Sequence, residues 1–516
     1  MEHEWPDSQA FGRNVAEPLK DSVMIRDEVP RLDGSAFAKL QDIVGVGNAS
    51  RRPEDLLTYM SDSYSLLMRR EVPLPECVVM PEETGQIQAL MRLANSCGIP
   101  VYPRSFGVNI AASAIPYRGG IVLDLKRMTR IWEIDEDTMT ATVEPGVSWG
   151  KLRKEANRVG LDTMPILGPY QGGPVGNFLL TNVTAYSSKR MADRAVTLEV
   201  VMPNGELLRT GSWAGERGDL NRYFRYAYGP DLTGLFRGSL GNFGVVSKMV
   251  TMLRPKMQHE DVVIYGFDDF DQAMGALKHL ERLDITRYAF FFSASTWKHV
   301  FLSPKAILDP VERGRIEAQL PAFLMSVGLG GMARQFELNR ELTDGVLTSE
   351  GGRRLALDAD LMSIAHEVSE GGSQKVLRMF TPYTGFMPLI ACVPPRHAAG
   401  VRRLGADLAK KYELLDPVDG GPLDPEVIVI PYDRCSTVYV EQEFLFNRQD
   451  QRSVERAGNC IREAYSRATS EFGAVHTIPN RSLLKRINPV YAEILGALKH
   501  VVDRAGILQG GAYSLE

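Results

Sequence analysis

The stretch from Glu144 to Lys248 constrains this chain most, because glycine and small polar residues run through it as an ordered set of turns. EPGVSWGKL (144–152) reads as a strand ending in a Pro-Gly turn before an amphipathic helix. GPYQGGPVGNFLLTNVTAY (168–186) follows, rich in glycine. LEVVMPNGELLRTG (198–211) folds over Pro-Asn-Gly as a hairpin. In YGPDLTGLFRGSLGNFGVVSK (228–248) glycines again interrupt an apolar pattern. Any one of these glycines is explained by a tight turn. As a set in a mixed α/β context they mark backbone that approaches a phosphate or a flat ring.

The 516 residues suffice for two or three domains with a large core. A hydrophobic content of 44% with 24% charged residues describes a soluble, globular chain. The net charge of −5 and the absence of a basic stripe argue against a nucleic-acid surface. No apolar run reaches membrane-spanning length, and the acidic start MEHEWPDSQ is unlike a signal peptide. Cys77, Cys97, Cys392, Cys435 and Cys460 lie far apart without CxxC spacing, so neither a disulfide framework nor a zinc site is indicated. A reducing cytoplasm is the simplest compartment.

Before the glycine-rich stretch, residues 1–71 read as a helical, irregular extension with Ser35 as an N-cap. Cys77–Ala114 reads as a βαβ unit, with a helix starting at Pro81, Glu82 and Glu83 in its first turn, and Gly98 at its end. Strands follow at 121–125 and in a hairpin over 130–146 that turns at Asp135–Asp137. After Met257, strand-then-helix patterns recur. Residues 310–348 look helical, with a glycine break at 328–331 that reads as a turn between helix and strand. Tyr439, Glu441 and Glu443 alternate on one strand and share a face, which points either at a cofactor or outward into salt bridges.

The order and spacing of PEET, RSFGVN, EPGV, GGPVGN, EVVMPNGELLRTG and YGPDLTGLF…NFGVVSK resemble the FAD-binding domain of the vanillyl-alcohol oxidase / p-cresol methylhydroxylase family, nearest its phenol-oxidising branch. The resemblance covers roughly residues 77–255 and the C-terminal segment. It implies an α+β fold: a two-subdomain FAD-binding domain of the vanillyl-alcohol oxidase type, plus a cap domain with an antiparallel sheet and flanking helices. The implied division is 1–71 extension, 72–256 FAD-binding domain, 257–472 cap, and 473–516 a segment returning to the FAD-binding domain. The absence of GxGxxG after the first strand agrees that this is not a Rossmann fold.

Carried onto this sequence, the resemblance puts Pro103, Arg104, Ser105, Phe106, Gly107, Val108 and Asn109 along the cofactor, with loop amides able to hold the pyrophosphate as a backbone nest. Pro145 and Gly146, then Gly172, Gly173, Gly176 and Asn177, then Gly244 and Val245 complete the expected contacts. Where many relatives link FAD to a His, this chain has Val108, which implies non-covalent FAD; Tyr383 is the nearest candidate for a link in the cap, and otherwise a pocket wall. Where the branch has an Asp near the flavin, this chain has Arg190, either a flavin or anion partner or a solvated residue. The family's Tyr-Arg pair aligns with Val475 and His476, the latter an acid/base candidate or a structural His. The implied function is an FAD-linked oxidase or dehydrogenase taking a hydride from an alcohol, benzylic or allylic carbon of a small substrate. Oxygen or a protein would serve as electron acceptor, and a homodimer is expected. A 2-hydroxy-acid dehydrogenase and a degenerate flavin-binding subunit are the alternatives.

Overall fold

The computed structural model of the chain describes residues 31–508 apart from 61–72, 109–113, 164, 167, 181–193, 218–219, 227, 302–308, 372, 374–383, 418–419, 477–484 and 486. Short β1 (Ala49–Ser50), β2 (Cys77–Val79), β3 (Val101–Arg104) and β4 (Ile121–Asp124) form one sheet in the order β1-β2-β4-β3. β2 and β3 both run parallel to β4, as a βαβ crossover requires. The crossover helix Thr84–Cys97 buries Ile87, Leu90, Met91 and Ala94, one stripe at helical spacing, against this sheet. It begins at Thr84 rather than Pro81, so Glu82 and Glu83 precede its first turn; Gly98 stops it in the left-handed conformation (φ 63°). The helix Gly34–Val44 is capped by Asp33, whose Oδ1 accepts from the Ala36 amide at 2.7 Å; Ser35 lies inside the helix instead.

The next strands are β5 (Ile131–Asp135), β6 (Thr140–Val143), β7 (Leu161–Asp162), β8 (Ala195–Val201), β9 (Leu207–Arg209), β10 (Val245–Met252) and β11 (Arg254–Pro255). Five of them make an antiparallel sheet in the order β5-β6-β10-β8-β9, while β7 pairs with β11. Both expected hairpins are present. The second turns at Gly205, whose φ of 80° suits glycine and whose amide donates to the Met202 carbonyl at 2.8 Å. Ser148 caps the helix Trp149–Arg158 that follows the Pro-Gly turn.

A large antiparallel sheet takes up the rest: β12 (His259–Phe267), β13 (Tyr288–Ser293), β14 (Phe323–Gly331), β15 (Arg353–Arg354), β16 (Thr384–Val393), β17 (Glu426–Tyr432) and β18 (Thr437–Asn447), ordered β15-β12-β14-β13-β17-β18-β16. Helices Phe270–Leu283, Ala333–Ser349, Ala398–Lys411 and Gln451–Phe472 pack on one face. Helices Ala294–Phe301 and Ala359–Ser369 cover the other. The fold is thus the α+β arrangement expected, with one correction. Residues 323–331, read as part of a helical region, are an inner strand. Gly328 and Gly330 lie within it, where a Cβ would meet the Tyr288 ring at 2.2 Å and the Arg287 side chain at 2.5 Å. They are bare so that cross-strand side chains can lie flat on β14. A short apolar run carries no periodicity that separates such a strand from a helix.

After the helix Pro489–Val502 the chain returns to β3. The Val101 amide donates to the Ile507 carbonyl at 2.7 Å, and Ile507 and Leu508 are wholly buried in the core of the first sheet.

Candidate functional site

Between the two smaller sheets lies a cleft of about 810 Å³, including its open mouth. Its walls come from four separate segments. The loop after β3 supplies Ser105, Phe106, Gly107 and Val108, following Pro103 and Arg104 at the end of the strand. The Pro-Gly turn before the helix Trp149–Arg158 supplies Pro145. Gly172, Gly173, Gly176 and Asn177 supply the third wall, and Gly241, Gly244 and Val246 the fourth. Local links hold these segments in place. The Ser105 hydroxyl donates to the Pro145 carbonyl at 2.6 Å, and the Trp149 indole donates to Asn177 Oδ1 at 2.5 Å.

The cleft suits a dinucleotide. Among the described residues, no acceptor takes the amides of Ser105, Phe106, Gly107 or Val108. Gly107 has φ 68°, the turn that aims successive amides at one point. A Cβ on Gly107 would collide with the Arg104 guanidinium at 2.2 Å, so this loop carries a cation beside its amides as well. That guanidinium also stands 4.9 Å over the Tyr59 ring. Gly176 borders the cleft, and a Cβ there would meet nothing within 4 Å, so its bare backbone leaves room for a group to approach closely.

Two expected contacts stand apart from the cleft walls. At Gly146 a Cβ would meet the Lys126 and Met128 carbonyls at 2.6 Å, so backbone crossing backbone explains this glycine. Val245 is buried in the core of the first sheet, and the neighbouring Val246 borders the cleft. Sequence reasoning missed the apolar lining of Leu125, Val175, Leu179, Leu180 and Leu240, which resembles any core leucine or valine until the tertiary fold opens a space beside it. Asn109, Arg190 and Tyr383 lie outside the described residues.

His476 does not border the cleft. Its Nδ1 donates to the Ile390 carbonyl at 2.6 Å, and its Nε2 lies 2.8 Å from the Thr469 hydroxyl. The Tyr465 ring packs edge-on at 4.5 Å. Burial lowers its pKa despite the carbonyl contacts. With both nitrogens engaged, His476 braces β16 against the helix Gln451–Phe472.

The alternating Tyr439, Glu441 and Glu443 are all buried, so the outward, salt-bridged reading of that strand face is corrected. Their face is the one covered by the helix Ala294–Phe301. The Tyr439 hydroxyl donates to Glu441 Oε2 at 2.6 Å. Burial pushes the Glu441 carboxyl up to about 7, against the Tyr439 hydrogen bond. Glu443 is also raised well above the usual carboxyl value, by burial and then by Glu426 and Glu441.

Residues 75–211 match the sequence model of a family described as an FAD binding domain. The flavoprotein subunit of 4-cresol dehydrogenase (hydroxylating) from Pseudomonas putida is 24% identical over 519 residues, covering 93% of this chain and 95% of that one. The glycolate oxidase subunit GlcD of Bacillus subtilis strain 168 is 30% identical over 203 residues, covering 39% of this chain and 41% of its own length. Among solved structures, p-cresol methylhydroxylase with substrate bound superposes with a TM-score of 0.80 at 21% identity, over 93% of this chain and 96% of that one.

Proposed function

Because the chain belongs to the vanillyl-alcohol oxidase / p-cresol methylhydroxylase family of FAD-linked oxidoreductases, we propose that it takes a hydride from an alcohol, benzylic or allylic carbon of a small, aromatic-type substrate. Bound FAD supplies the hydride acceptor. The supporting observation is the four-segment cleft joined to a full-length likeness. The amides of Ser105 to Val108, with the Arg104 guanidinium beside them, would hold the pyrophosphate, and Gly172, Gly173 and Gly176 would let the cofactor lie against backbone. Val108, half-exposed at the cleft, offers no nucleophile, which supports non-covalent attachment. Arg190 and Tyr383 keep their proposed places, as anion or flavin partner and as pocket wall. The division at 72, 257 and 473, a homodimer, and oxygen or a protein as electron acceptor belong to the same reading. Free cysteines at all five positions fit a reducing compartment.

The glycolate oxidase likeness spans 39% of this chain and 41% of that protein, too small a share to carry a substrate. The test begins with an absorption spectrum of the purified protein before and after acid precipitation. Flavin bands that move into the supernatant are the expected result. Colour kept in the pellet would mean a covalent link, and no flavin even after incubation with FAD would overturn the reading. Turnover of 4-alkylphenols, benzylic alcohols and 2-hydroxy acids, with oxygen and with an artificial dye, then separates substrate classes. Inertness towards the whole panel would favour the degenerate subunit.

A further inference from the structure

The covered face of the large sheet carries more buried acid than its packing requires. Glu426 and Glu443 sit directly opposite each other on β17 and β18, and Glu441 lies opposite Ile428 on the same face. Side chains in directly opposed positions stand about 5 Å apart at Cβ, where two like charges repel. Glu426 is 0% exposed and Glu443 is 3% exposed. As carboxylates, neither Glu426 oxygen nor Glu443 Oε2 receives an aligned hydrogen bond among the described residues. With one proton between the two carboxyls, each gains a partner. His299, from the covering helix, sets its Nδ1 against Glu426 and 2.9 Å from the Ser295 carbonyl, and its Nε2 lies 3.9 Å from Asp416. Burial opposes a charge on this imidazole, but Glu426 and then Asp416 raise its pKa all the same.

We propose that Glu426, Glu441 and Glu443 form a proton-holding centre in the cap: one proton is shared by Glu443 and Glu426 beside a charged His299, and Glu441 exchanges a second through the Tyr439 hydroxyl. The other titratable and charged groups facing it are Tyr432 on β17, Cys392 on β16, Lys298 on the covering helix, Asp416 before β17, and Arg194 just ahead of β8. The buried Tyr432 hydroxyl has no hydrogen-bond partner among the described residues. The Tyr432 ring stands 6.1 Å from that of Tyr439, and its phenol is close enough to Arg194 to feel that charge. The hydrogen-bonded part of this end of the centre is thus Tyr439 and Glu441, with Tyr432 packed beside Tyr439. The exchange balances as a plain proton transfer: the Tyr439 oxygen takes up one proton as the Tyr439 proton passes to the Glu441 carboxylate, with no change in oxidation state. Use of this centre to hold the proton that substrate loses on oxidation rests on the flavoenzyme reading, whereas the existence of the centre does not.

Two measurements test the centre without turnover. Infrared spectra of the purified protein at pH 6 and pH 8 are expected to show a protonated-carboxyl carbonyl band at both, lost in Glu443→Gln, and a second band that titrates near neutrality and is lost in Glu441→Gln. The melting temperature supplies the second. Glu441 keeps its proton to a higher pH folded than unfolded, where it ionises near about 4.3. Below that pH the group is neutral in both states. As pH rises from there to about 7, only the unfolded chain sheds the proton, and stability falls. Wild type should lose roughly 2–3 °C of Tm between pH 5 and pH 8 relative to Glu441→Gln. Parallel Tm profiles, or spectra with no carboxyl band removed by either substitution, would overturn the centre. Its link to the cofactor is read from the midpoint potential of bound FAD against pH: a change of slope near pH 7 that Glu441→Gln removes supports the link, and identical slopes refute it. A protein that binds no FAD would sink the functional reading alone, since the infrared and melting results stand without cofactor.

Discussion

Lys499 is 3% exposed, yet its ammonium has a complete set of acceptors: Asn242 O at 3.0 Å, Asp503 Oδ2 at 2.5 Å and Leu508 O at 2.7 Å. Asp503 in turn accepts the Ile507 and Leu508 amides at 3.1 and 2.8 Å. One buried ion pair thus ties the C-terminal segment to the loop that borders the cleft at Gly241 and Gly244. Lys499→Met leaves Asp503 buried and uncompensated, so unfolding by denaturant should show a loss of roughly 3–5 kcal/mol. Adding Asp503→Asn should recover part of it, because the second charge is then gone. Gly176→Leu tests the cleft from the opposite side. A Cβ at 176 would meet nothing within 4 Å, so the melting temperature should hold, while FAD affinity, followed by flavin fluorescence, should fall at least about tenfold, or 1.4 kcal/mol. Unchanged FAD binding in that variant would move the cofactor away from this wall. At this scale the sequence was legible where the reason for a residue is local. Gly98 and Gly205 could be read as a helix stop and a hairpin turn. Gly146 and Gly176 look alike in sequence, and only the neighbours brought in by the fold tell a backbone crossing from a cofactor wall.

Elements were read well wherever hydrophobic period and punctuation agreed. The βαβ unit, both hairpins and the strand–helix pairs of the cap all carry a period of two or of 3.6 bounded by glycine, proline or a capping residue. β14 was misread because FLMSVGLGG has no such period: it is covered on both faces, and seven consecutive residues, Phe323 to Leu329, are buried. Its glycines also look like breakers, although they serve packing. Gly328→Val should therefore do more than lower strand propensity. The added side chain meets the Tyr288 ring in an inner strand of the large sheet, and overpacking of this kind costs about 1–3 kcal/mol. Equilibrium unfolding with the m-value held constant would measure it. Shrinking the partner in Gly328→Val/Tyr288→Ala should not simply add a second cost, because the two changes share one contact. Strict additivity would show that the ring is not what keeps position 328 bare.

Across the whole molecule, Asp162 gathers charges from parts of the chain far apart in sequence. It is 2% exposed and faces Arg153 at 2.9 Å, Arg254 at 3.5 Å and Arg287 at 3.8 Å, and Arg287 also holds Glu260 at 2.7 Å. Arg153 belongs to the helix beside the cleft, and Arg287 precedes β13 of the large sheet. The Asp162 carboxylate therefore pins the large sheet to the cleft-bearing part. Asp162→Ala removes the carboxylate that Arg153, Arg254 and Arg287 share at this seam, leaving Arg287 with Glu260 and Arg153 with Tyr170, and should cost roughly 3–5 kcal/mol. It should also raise hydrogen exchange at the seam before the two cores open. Equal exchange in both proteins would show that apolar contacts alone hold the seam. What the sequence determined by itself was the ordered glycine loops, the strands and helices around them and, through the family resemblance that their motifs carry, the cofactor class, because each motif rests on residues close together in the chain. The tertiary structure alone decided which glycines border the cleft, that both nitrogens of His476 are engaged by the protein, and that Glu441 and Glu443 are buried against Glu426. Burial and charge compensation depend on cross-strand register and on which helix covers which face, and these bring together residues that no local pattern connects.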